Sequence, residues 1–228
     1  LNIAFFDIET DFDASRGFAD PSDPFMPITA ISVHLQWLDL LVTLVIPPKS
    51  MRSGEGLEEA QRICEQFENT QLYLNEGDML NDFLDVIEDA DVLSGWNSEG
   101  YDIPYTVNRI ALVLSKSHTR KMCLWDLYPS KRKVIKYGKE QSTYDLSGRI
   151  HLDYLELYRK YTYHEMHSYA LDTIGQHEVG EKKVAYDGTL DQLYNNDFFK
   201  FIEYNRQDTA LLDKIDKKLR FIELANEI

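Results

Sequence analysis

Three short apolar runs at the start of the chain constrain its fold more than any other feature of the sequence. Asn2 to Phe6, Ile28 to Trp37 and Leu40 to Ile46 are rich in aromatic and β-branched residues, a composition typical of strands. A tight connection joins the second run to the third. The sequence therefore predicts that the domain opens with a β-meander.

Helical spacing replaces the strand pattern after this meander. Apolar residues from Met79 to Ile87 recur at helical intervals, whereas Asp91 to Gly95 is typical of a short buried strand. A second helix is predicted from Pro104 to about Ser115. Pro104 would occupy the first helical position, and Ile103 would be the cap.

The second half of the chain also contains both strand and helix patterns. Ile150 to Tyr158 indicates a strand or the start of a helix. Ser168 is expected to cap a short helix that ends at Gly175, and Asp197 to open a long final helix to about Asn226. Because strands come first and helices later, with mixed crossovers, the predicted class is α/β with a mixed sheet.

The charge of the chain is unevenly distributed. The net charge is −15, from 24 basic and 39 acidic side chains, which argues against a polyanionic partner such as nucleic acid. Lys116 to Lys139, however, holds eight basic residues and one acid, Asp126. This segment could meet a phosphate backbone locally, or it could be a solvated basic loop. Within it, Lys133 to Tyr137 and Gln141 to Leu146 flank Gly138 and predict a projecting β-hairpin.

An acidic pair ends the first predicted strand. Asp7 and Glu9 are two residues apart, so their side chains leave the same face of the sheet and could both reach one cation. The pair alone is a weak signal, because a chain this acidic contains several such pairs by chance. A solvated strand end is the alternative.

The final helix carries a stronger signal. Phe201, Tyr204, Asp208, Leu211 and Ile215 step by three and four residues and form one stripe that is otherwise apolar. Tyr204 and Asp208 should therefore face the body of the domain. A buried carboxylate is costly unless it is paired or coordinates a metal, and no Lys or Arg lies one turn away on this stripe. The alternative is an Asp208 bonded to a core hydroxyl or to a distant arginine.

Asp102 lies at a predicted junction between a buried strand and a helix. It could be a helix cap, but a helix that begins at Pro104 leaves Asp102 outside the cap position. Asp7, Glu9, Asp102 and Asp208 could thus converge where open α/β sheets place their ligands.

These segments resemble the three exonuclease motifs of the proofreading domains of family B DNA polymerases. The matching residues are Phe-Asp-x-Glu-Thr around Asp7, Asn-x(3)-Tyr-Asp from Asn97 to Asp102, and Tyr-x(3)-Asp from Tyr204 to Asp208.

The resemblance extends over nearly the whole chain, from Phe5 to about Leu212. Leu152 to Tyr158, Ser168 to Asp172 and Val179 to Lys183 are similar to family segments between the second and third motifs. The predicted hairpin is most similar to the replicative polymerases of tailed bacteriophages.

The resemblance implies an RNase H-like fold and hydrolysis of single-stranded DNA from its 3′ end to nucleoside monophosphates. It implies that two Mg²⁺ ions, with Mn²⁺ as a substitute, are held by four carboxylates: Asp7, Glu9, Asp102 and Asp208. Hard oxygen ligands suit these ions, and the sequence has no His or Cys cluster that would favour zinc. Tyr204 is placed to orient the attacking water.

The resemblance also implies contacts with the substrate. Lys183 is similar to a family lysine that contacts the scissile phosphate, with Lys182 as the alternative if the register shifts by one residue. Asn97 matches an asparagine that would bond the terminal nucleotide, and Phe12 is a candidate surface for stacking a frayed base. Four basic residues of the hairpin are expected to contact DNA: Lys131, Arg132, Lys133 and Lys136.

Histidines and cysteines receive no catalytic role. Related exonucleases of the histidine type place a His four or five residues before the last Asp, where this chain has Tyr204. His164 and His167 are spaced like a metal pair but are interpreted as surface residues. Cys64 and Cys123 are interpreted as reduced core residues.

Residues 1–228 are expected to form a single domain, a monomer cut from a larger DNA polymerase. Its expected partners are a single-stranded DNA 3′ end and the polymerase domain of the parent chain. No apolar stretch approaches the ~18 residues of a membrane helix, and no signal peptide is apparent, so a cytoplasmic location is expected, in the host cell for a bacteriophage protein.

Two rival interpretations remain open. One is an inactive RNase H-like module that binds DNA or another partner. The other is a polymerase fragment, suggested by Asp126 to Ser130, which is similar to a polymerase active-site signature.

Overall fold

The computed structural model describes residues 1–228 as eight strands and eight α-helices. The strands are β1 (Ile3–Thr10), β2 (Ile28–Leu35), β3 (Leu40–Val45), β4 (Thr70–Leu72), β5 (Val92–Gly95), β6 (Ser130–Lys136), β7 (Lys139–Asp145) and β8 (Ile150–Asp153). The helices are α1 (Gly54–Glu65), α2 (Glu76–Val86), α3 (Asp102–Val113), α4 (Tyr154–Tyr161), α5 (Leu171–Val179), α6 (Leu190–Asn196), α7 (Phe198–Leu219) and α8 (Phe221–Glu227). Short 3₁₀ turns lie at Gln36–Leu38, Lys49–Met51 and Lys116–Met122.

Six strands form one mixed sheet in the order β4-β3-β2-β1-β5-β8. β1, β2 and β3 are antiparallel neighbours, which confirms the predicted meander, and the remaining pairings are parallel. Helices cover the sheet, so the predicted α/β class is confirmed, and the arrangement is consistent with an RNase H-like exonuclease fold.

The alternating side chains of β1 divide the core into two layers. Ala4, Phe6 and Ile8 pack with α2 and α3 on one face of the sheet. Ile3 and Phe5 pack with α4, α5, α7 and α8 on the other face. Because Asp7 and Glu9 share the parity of Phe5, both acids lie on the α7 face.

The predicted hairpin is confirmed as β6 and β7, which pair only with each other. Tyr137 and Gly138 form its turn with φ values of 52° and 74°. Two consecutive left-handed residues give the turn a twist that matches that of paired strands, and glycine adopts such a φ at little cost.

The start of α3 differs from the prediction. The helix begins at Asp102 after Tyr101, so Asp102 is its first residue and Pro104 its third. Proline is accommodated there because amide groups of the first helical turn have no partner within the helix. The prediction that Ile103 is the cap was therefore wrong.

The helix predicted from Ser168 to Gly175 was also misplaced. It is α5, which begins after Ala170 and ends at Gly180 in a left-handed conformation. The Ser168 hydroxyl accepts the Ala170 amide 3.2 Å away in the segment before the helix. Gly175 lies inside α5, where a β-carbon would approach a Leu211 methyl carbon to 2.6 Å.

The long final helix begins as predicted but breaks before Asn226. Asp197 caps α7 by accepting the Lys200 amide. At Arg220 the chain turns with a φ of 54°, and α8 then packs Phe221 against aromatic side chains of α4. This burial explains a break that neither glycine nor proline marks.

Two helices, α1 and α6, were not predicted. Both pack with the start of α7 over β2 and β3, through residues such as Ile63, Tyr194 and Phe198. Cys64 and Cys123 are buried, which confirms the prediction that both are core residues. No helix has the length and apolar character needed to cross a membrane.

Candidate active site

The acidic pair lies in the centre of the sheet, within β1 rather than after it. The parallel pairing of β1 with β5 ends at Phe5. Beyond that point the backbone amide of Ile8 donates to Oδ1 of Asp102 at 3.1 Å. The first residue of α3 is thereby tied to the strand between Asp7 and Glu9.

Asp208 approaches the pair from α7. Asp7, Glu9 and Asp208 each present a carboxylate oxygen, and these three oxygens all lie within 4.8 Å of one another. Asp102 is outside this group, yet it lies close enough to Asp7 for the charge of that carboxylate to raise the pKa of Asp102. The structure thus brings together three of the four predicted carboxylates directly and attaches the fourth beside them.

Burial makes these carboxylates unusually basic. Burial raises the pKa of Asp7 to about 6 and that of Asp208 to about 7. The pKa values of Glu9 and Asp102 are raised well above their usual range by burial, and next by repulsion from Asp7. Both effects disfavour the charged form, and a cation in the cluster would oppose them.

Lys183 and Tyr204 border the cluster. The Nζ of Lys183 lies 3.2 Å from Oδ2 of Asp208 and donates to the hydroxyl of Tyr204, also at 3.2 Å. Burial acts to lower the pKa of Lys183, but Asp208, Tyr204 and Asp7 together outweigh it and raise the pKa. Burial, followed by repulsion from Asp208, raises the pKa of Tyr204.

The predicted stripe of α7 therefore faces the body of the domain. The alternatives for Asp208 were a core hydroxyl or a distant arginine, and its observed partner is instead a distant lysine, Lys183. The neighbouring Lys182 is exposed, so the register favours Lys183 as the residue that reaches the cluster.

The donor set fits divalent cations that prefer oxygen. Oδ1 of Asp208 is buried and has no hydrogen-bond partner, which is costly unless another group satisfies it. Carboxylate oxygens are the ligands that Mg²⁺ and Mn²⁺ favour. The cluster could therefore hold metal.

The predicted DNA contacts lie outside the cluster. Phe12 is half-buried and packs against the exposed ring of Phe18, with 4.8 Å between centroids. Asn97 adopts a φ of 57° in the turn before α3. Its backbone amide donates to Asp153 at 3.0 Å.

The hairpin lies against this same turn. Arg132 and Lys136 both form ion pairs with Glu99, at 2.9 and 3.0 Å. Lys133 pairs with Glu140 at 2.7 Å, whereas Lys131 is exposed and forms no ion pair. Most of the predicted basic contacts are thus already engaged by carboxylates.

Sequence reasoning missed several polar residues that support the site. Asp172 accepts the backbone amide of Lys183 at 2.8 Å. Asp153 accepts two amides of the Asn97 to Glu99 turn and also caps α4. Asn205 is fully buried and donates to Asp7. Asn205 lies within the Tyr204 to Asp208 motif, but the sequence shows it only as a polar residue next to the predicted apolar stripe.

Two other groups of potential metal ligands include histidine, and the sequence did not suggest either of them. His164 is exposed, as predicted, but its neighbour is His177 rather than His167, with Glu178 close by. His34 lies between Asp39 and Asp213. Neither group contains a cysteine or more than two histidines, and neither shares a residue with the acidic cluster.

Comparison with known proteins identifies the family. The exonuclease domain of DNA polymerase family B matches residues 1–174, well over half of the chain. This match includes Asp7, Glu9 and Asp102 but ends before Lys183 and Asp208.

Individual relatives extend the similarity. The DNA-directed DNA polymerase of Escherichia phage RB69 is 30% identical over 99% of this chain and 26% of its own length. That of Enterobacteria phage T4 is 33% identical over 66% of this chain and 17% of its own length. The DNA polymerase delta catalytic subunit of Candida albicans is 30% identical over 80% of this chain and 17% of its own length.

The chain spans about a quarter or less of the length of these relatives. The similarity to phage polymerases agrees with the predicted phage-type proofreading domain. This chain belongs to the exonuclease-domain family of the family B DNA polymerases.

Proposed function

We propose that this chain hydrolyses single-stranded or frayed DNA from the 3′ end, one nucleoside monophosphate at a time, as the proofreading part of a larger DNA polymerase. The single observation that carries this proposal is the cluster of Asp7, Glu9 and Asp208, with Asp102 bonded to the strand between the first two. Membership of the exonuclease family supports the reaction class.

The four carboxylates would hold two Mg²⁺ ions, or Mn²⁺ in their place. When bound, two such ions supply Lewis acidity at the attacking and the leaving oxygens of a phosphodiester. The raised pKa values of these acids and the unpartnered oxygen of Asp208 support cation binding. Asp7 and Glu9 on a central strand give the ligands a rigid base.

Tyr204 and Lys183 would act on the water and the phosphate. The Tyr204 hydroxyl accepts a hydrogen bond from Lys183, so its own proton and remaining lone pair are available to orient a water molecule. The Lys183 ammonium has three N–H donors. With two directed to Asp208 and Tyr204, the third is available to a non-bridging phosphate oxygen.

Asn97 and Phe12 would contact the terminal nucleotide, and the hairpin would follow the DNA backbone. Lys131 is the hairpin residue best suited to this role, because Arg132, Lys133 and Lys136 already have carboxylate partners. Phe12, packed on exposed Phe18, offers an aromatic surface for a base.

The proposed setting is a single domain, residues 1–228, within a polymerase chain that acts in the cytoplasm of an infected cell. Its further partner would be the polymerase domain of the same chain. The rival interpretation as an inactive module is not favoured, because all four acids and Lys183 are present together.

The polymerase-fragment interpretation is not favoured either. Asp126 to Ser130 is short of a full polymerase signature, and the sequence has no Tyr-Gly-Asp-Thr-Asp run to supply the other acids. Primer extension with all four deoxynucleotides should show shortening only, and templated lengthening by purified protein would overturn this assignment.

A labelling experiment tests the direction and the substrate. With Mg²⁺, a 5′-labelled single-stranded oligonucleotide should give a descending ladder, whereas a 3′-labelled one should release its label at once as a mononucleotide. EDTA should stop both reactions. Release of a 5′ label as the first product, or no digestion at all, would refute the proposal.

A further inference from the structure

Asn205 connects the acidic cluster to the interior of the sheet. It lies on α7 three residues before Asp208 and is fully buried. Its Nδ2 donates to Oδ2 of Asp7 at 3.3 Å. This is the only hydrogen bond that the side chain of Asp7 accepts from a donor outside the cluster.

The other end of the Asn205 amide begins a chain of hydrogen bonds. Oδ1 of Asn205 accepts the hydroxyl of Ser32 at 2.6 Å, and the hydroxyls of Ser32 and Thr43 are 2.9 Å apart. Nη1 of Arg206 donates to the Thr43 hydroxyl at 3.0 Å. Ser32 and Thr43 are direct neighbours on β2 and β3 and are fully buried.

The chemistry of the two ends fixes the direction of every bond. A guanidinium only donates and an ionised carboxylate only accepts. Each hydroxyl has one proton, so Ser32, which donates to Asn205, must accept from Thr43. The amide nitrogen of Asn205 then has to face Asp7, since the reverse orientation would point its oxygen at a carboxylate.

We infer that Asn205 is a positioning residue for Asp7, and that Ser32, Thr43 and Arg206 fix its orientation through this one-directional relay. Aligned hydrogen bonds in a low-dielectric interior strengthen one another. Partners behind a metal ligand set its orientation and basicity. The inference rests on the proposed function, because it concerns the ability of Asp7 to bind a divalent cation.

Thr43 is the link at which the relay is best cut. Its hydroxyl bonds to Ser32 and Arg206 and not to Asp7 or Asn205, and valine has nearly the same shape as threonine without the hydroxyl. Arg206 would keep two other acceptors, the Glu68 carbonyl and the Thr70 hydroxyl. Thr43→Val should therefore fold, while Thr43→Ser restores the missing hydroxyl.

The readout is Mn²⁺ binding, measured from the electron paramagnetic resonance signal of the free ion, beside digestion of single-stranded DNA. Asn205→Leu should weaken Mn²⁺ binding by about 10- to 100-fold, the range for partners behind a metal ligand. Thr43→Val should weaken it less, by about 3- to 10-fold, lower the turnover number and leave the KM for DNA unchanged. Thr43→Ser should restore both quantities.

A double-variant cycle separates the relay from a general structural effect. Once Asn205→Leu has removed the link to Asp7, adding Thr43→Val should weaken Mn²⁺ binding no further. Thr106→Val is the matched control, because its buried hydroxyl has no hydrogen-bond partner and its loss should change nothing. Ser32→Ala provides a second cut if Thr43→Val does not fold.

The outcomes distinguish the inference from the proposed function. A wild-type protein that neither binds Mn²⁺ nor digests DNA would refute the proposed function. If the wild type binds Mn²⁺ and digests DNA, two results would refute the relay. One is a Mn²⁺ affinity that Thr43→Val leaves unchanged, and the other is additive effects of Thr43→Val and Asn205→Leu. Non-additive losses with rescue by Thr43→Ser are the result we expect.

Discussion

The ammonium of Lys183 lies 3.2 Å from the Asp208 carboxylate, although one residue is in an irregular segment after α5 and the other is in the middle of α7. This ion pair places a positive charge at the edge of a cluster of buried acids. It also leaves Oδ1 of Asp208 without a partner. The cluster is thus only partly neutralised by the protein itself.

Lys183→Met should reduce digestion of single-stranded DNA by about 100-fold, a typical cost of removing one donor that stabilises a reacting oxyanion. The neighbouring Lys182 is exposed and provides the control. Lys182→Met should leave the rate nearly unchanged. Equal rate losses in the two variants would argue against a specific role for Lys183.

Tyr204→Phe should lower turnover by about tenfold, because it keeps the ring and removes only one hydrogen bond to charged or reacting groups. Tyr186→Phe is a suitable control, since its ring packs edge-on against Tyr204 and its hydroxyl has no hydrogen-bond partner. Single-turnover kinetics measures the rate of DNA digestion by both variants. An unchanged rate in Tyr204→Phe would make Tyr204 a packing residue.

The stability of the metal-free protein should fall as pH rises from about 4 to about 7. In this range the folded protein holds protons on Asp7 and Asp208, whose pKa values are about 6 and 7, while the unfolded chain has lost them at pH ~4. The folded state therefore binds more protons, so the free energy of unfolding decreases with pH. Below pH ~4 both states are protonated and this dependence disappears.

Urea unfolding in EDTA at pH 5 and pH 8 measures this effect, and Mn²⁺ at pH 8 should restore the lost stability. Asp208→Asn should reduce the pH dependence without removing it, because burial also raises the pKa values of Asp7 and Asp153 to about 6. A metal-free protein that is more stable at pH 8 than at pH 5 would contradict the prediction.

The hairpin should contribute to binding of single-stranded DNA despite the acidic net charge. Replacing Lys131, Arg132 and Lys133 together by Ser should weaken binding and flatten its salt dependence. Lys131→Ser alone should flatten the logarithmic salt slope by about 0.7, the value for one phosphate contact on a single strand. Arg132→Ser would also release Glu99 from the hairpin.

Fluorescence anisotropy of a labelled oligonucleotide across a salt series measures these slopes. Arg62→Ser is the control, because Arg62 is exposed on α1 and pairs with Glu59. A slope unaltered by all hairpin variants would mean that the basic segment is only a solvated loop.

The parts of the site that follow local periodicity could be predicted from the sequence. Asp7 and Glu9 share a face because strand side chains alternate, and Asp208 faces inward because helical residues recur every three to four positions. The resemblance to a known family supplied Lys183, which no local pattern indicates. Its position depends on the path of the chain after Gly180 and on the bond to Asp172.

Features that depend on packing between distant segments were not predictable in the same way. The break at Arg220 has no glycine or proline and results from burial of Phe221 and Ile222. Asn205 is a polar residue in a helix, and its role is apparent only in the folded structure, where it lies between Ser32 and Asp7. Such partners belong to other elements, so their residue types alone do not identify them.

The most direct test of the proposed metal-binding centre compares wild type with Asp102→Ala/Asp208→Ala in single-turnover digestion of a 5′-labelled single-stranded oligonucleotide with Mg²⁺. Circular dichroism should show that both proteins are folded. Removing two of the four carboxylates should reduce the rate by several orders of magnitude, as should Asp7→Ala, because the cations would lose their ligands. A wild-type rate in the folded double variant would contradict the assignment of these carboxylates as the metal-binding centre of an exonuclease.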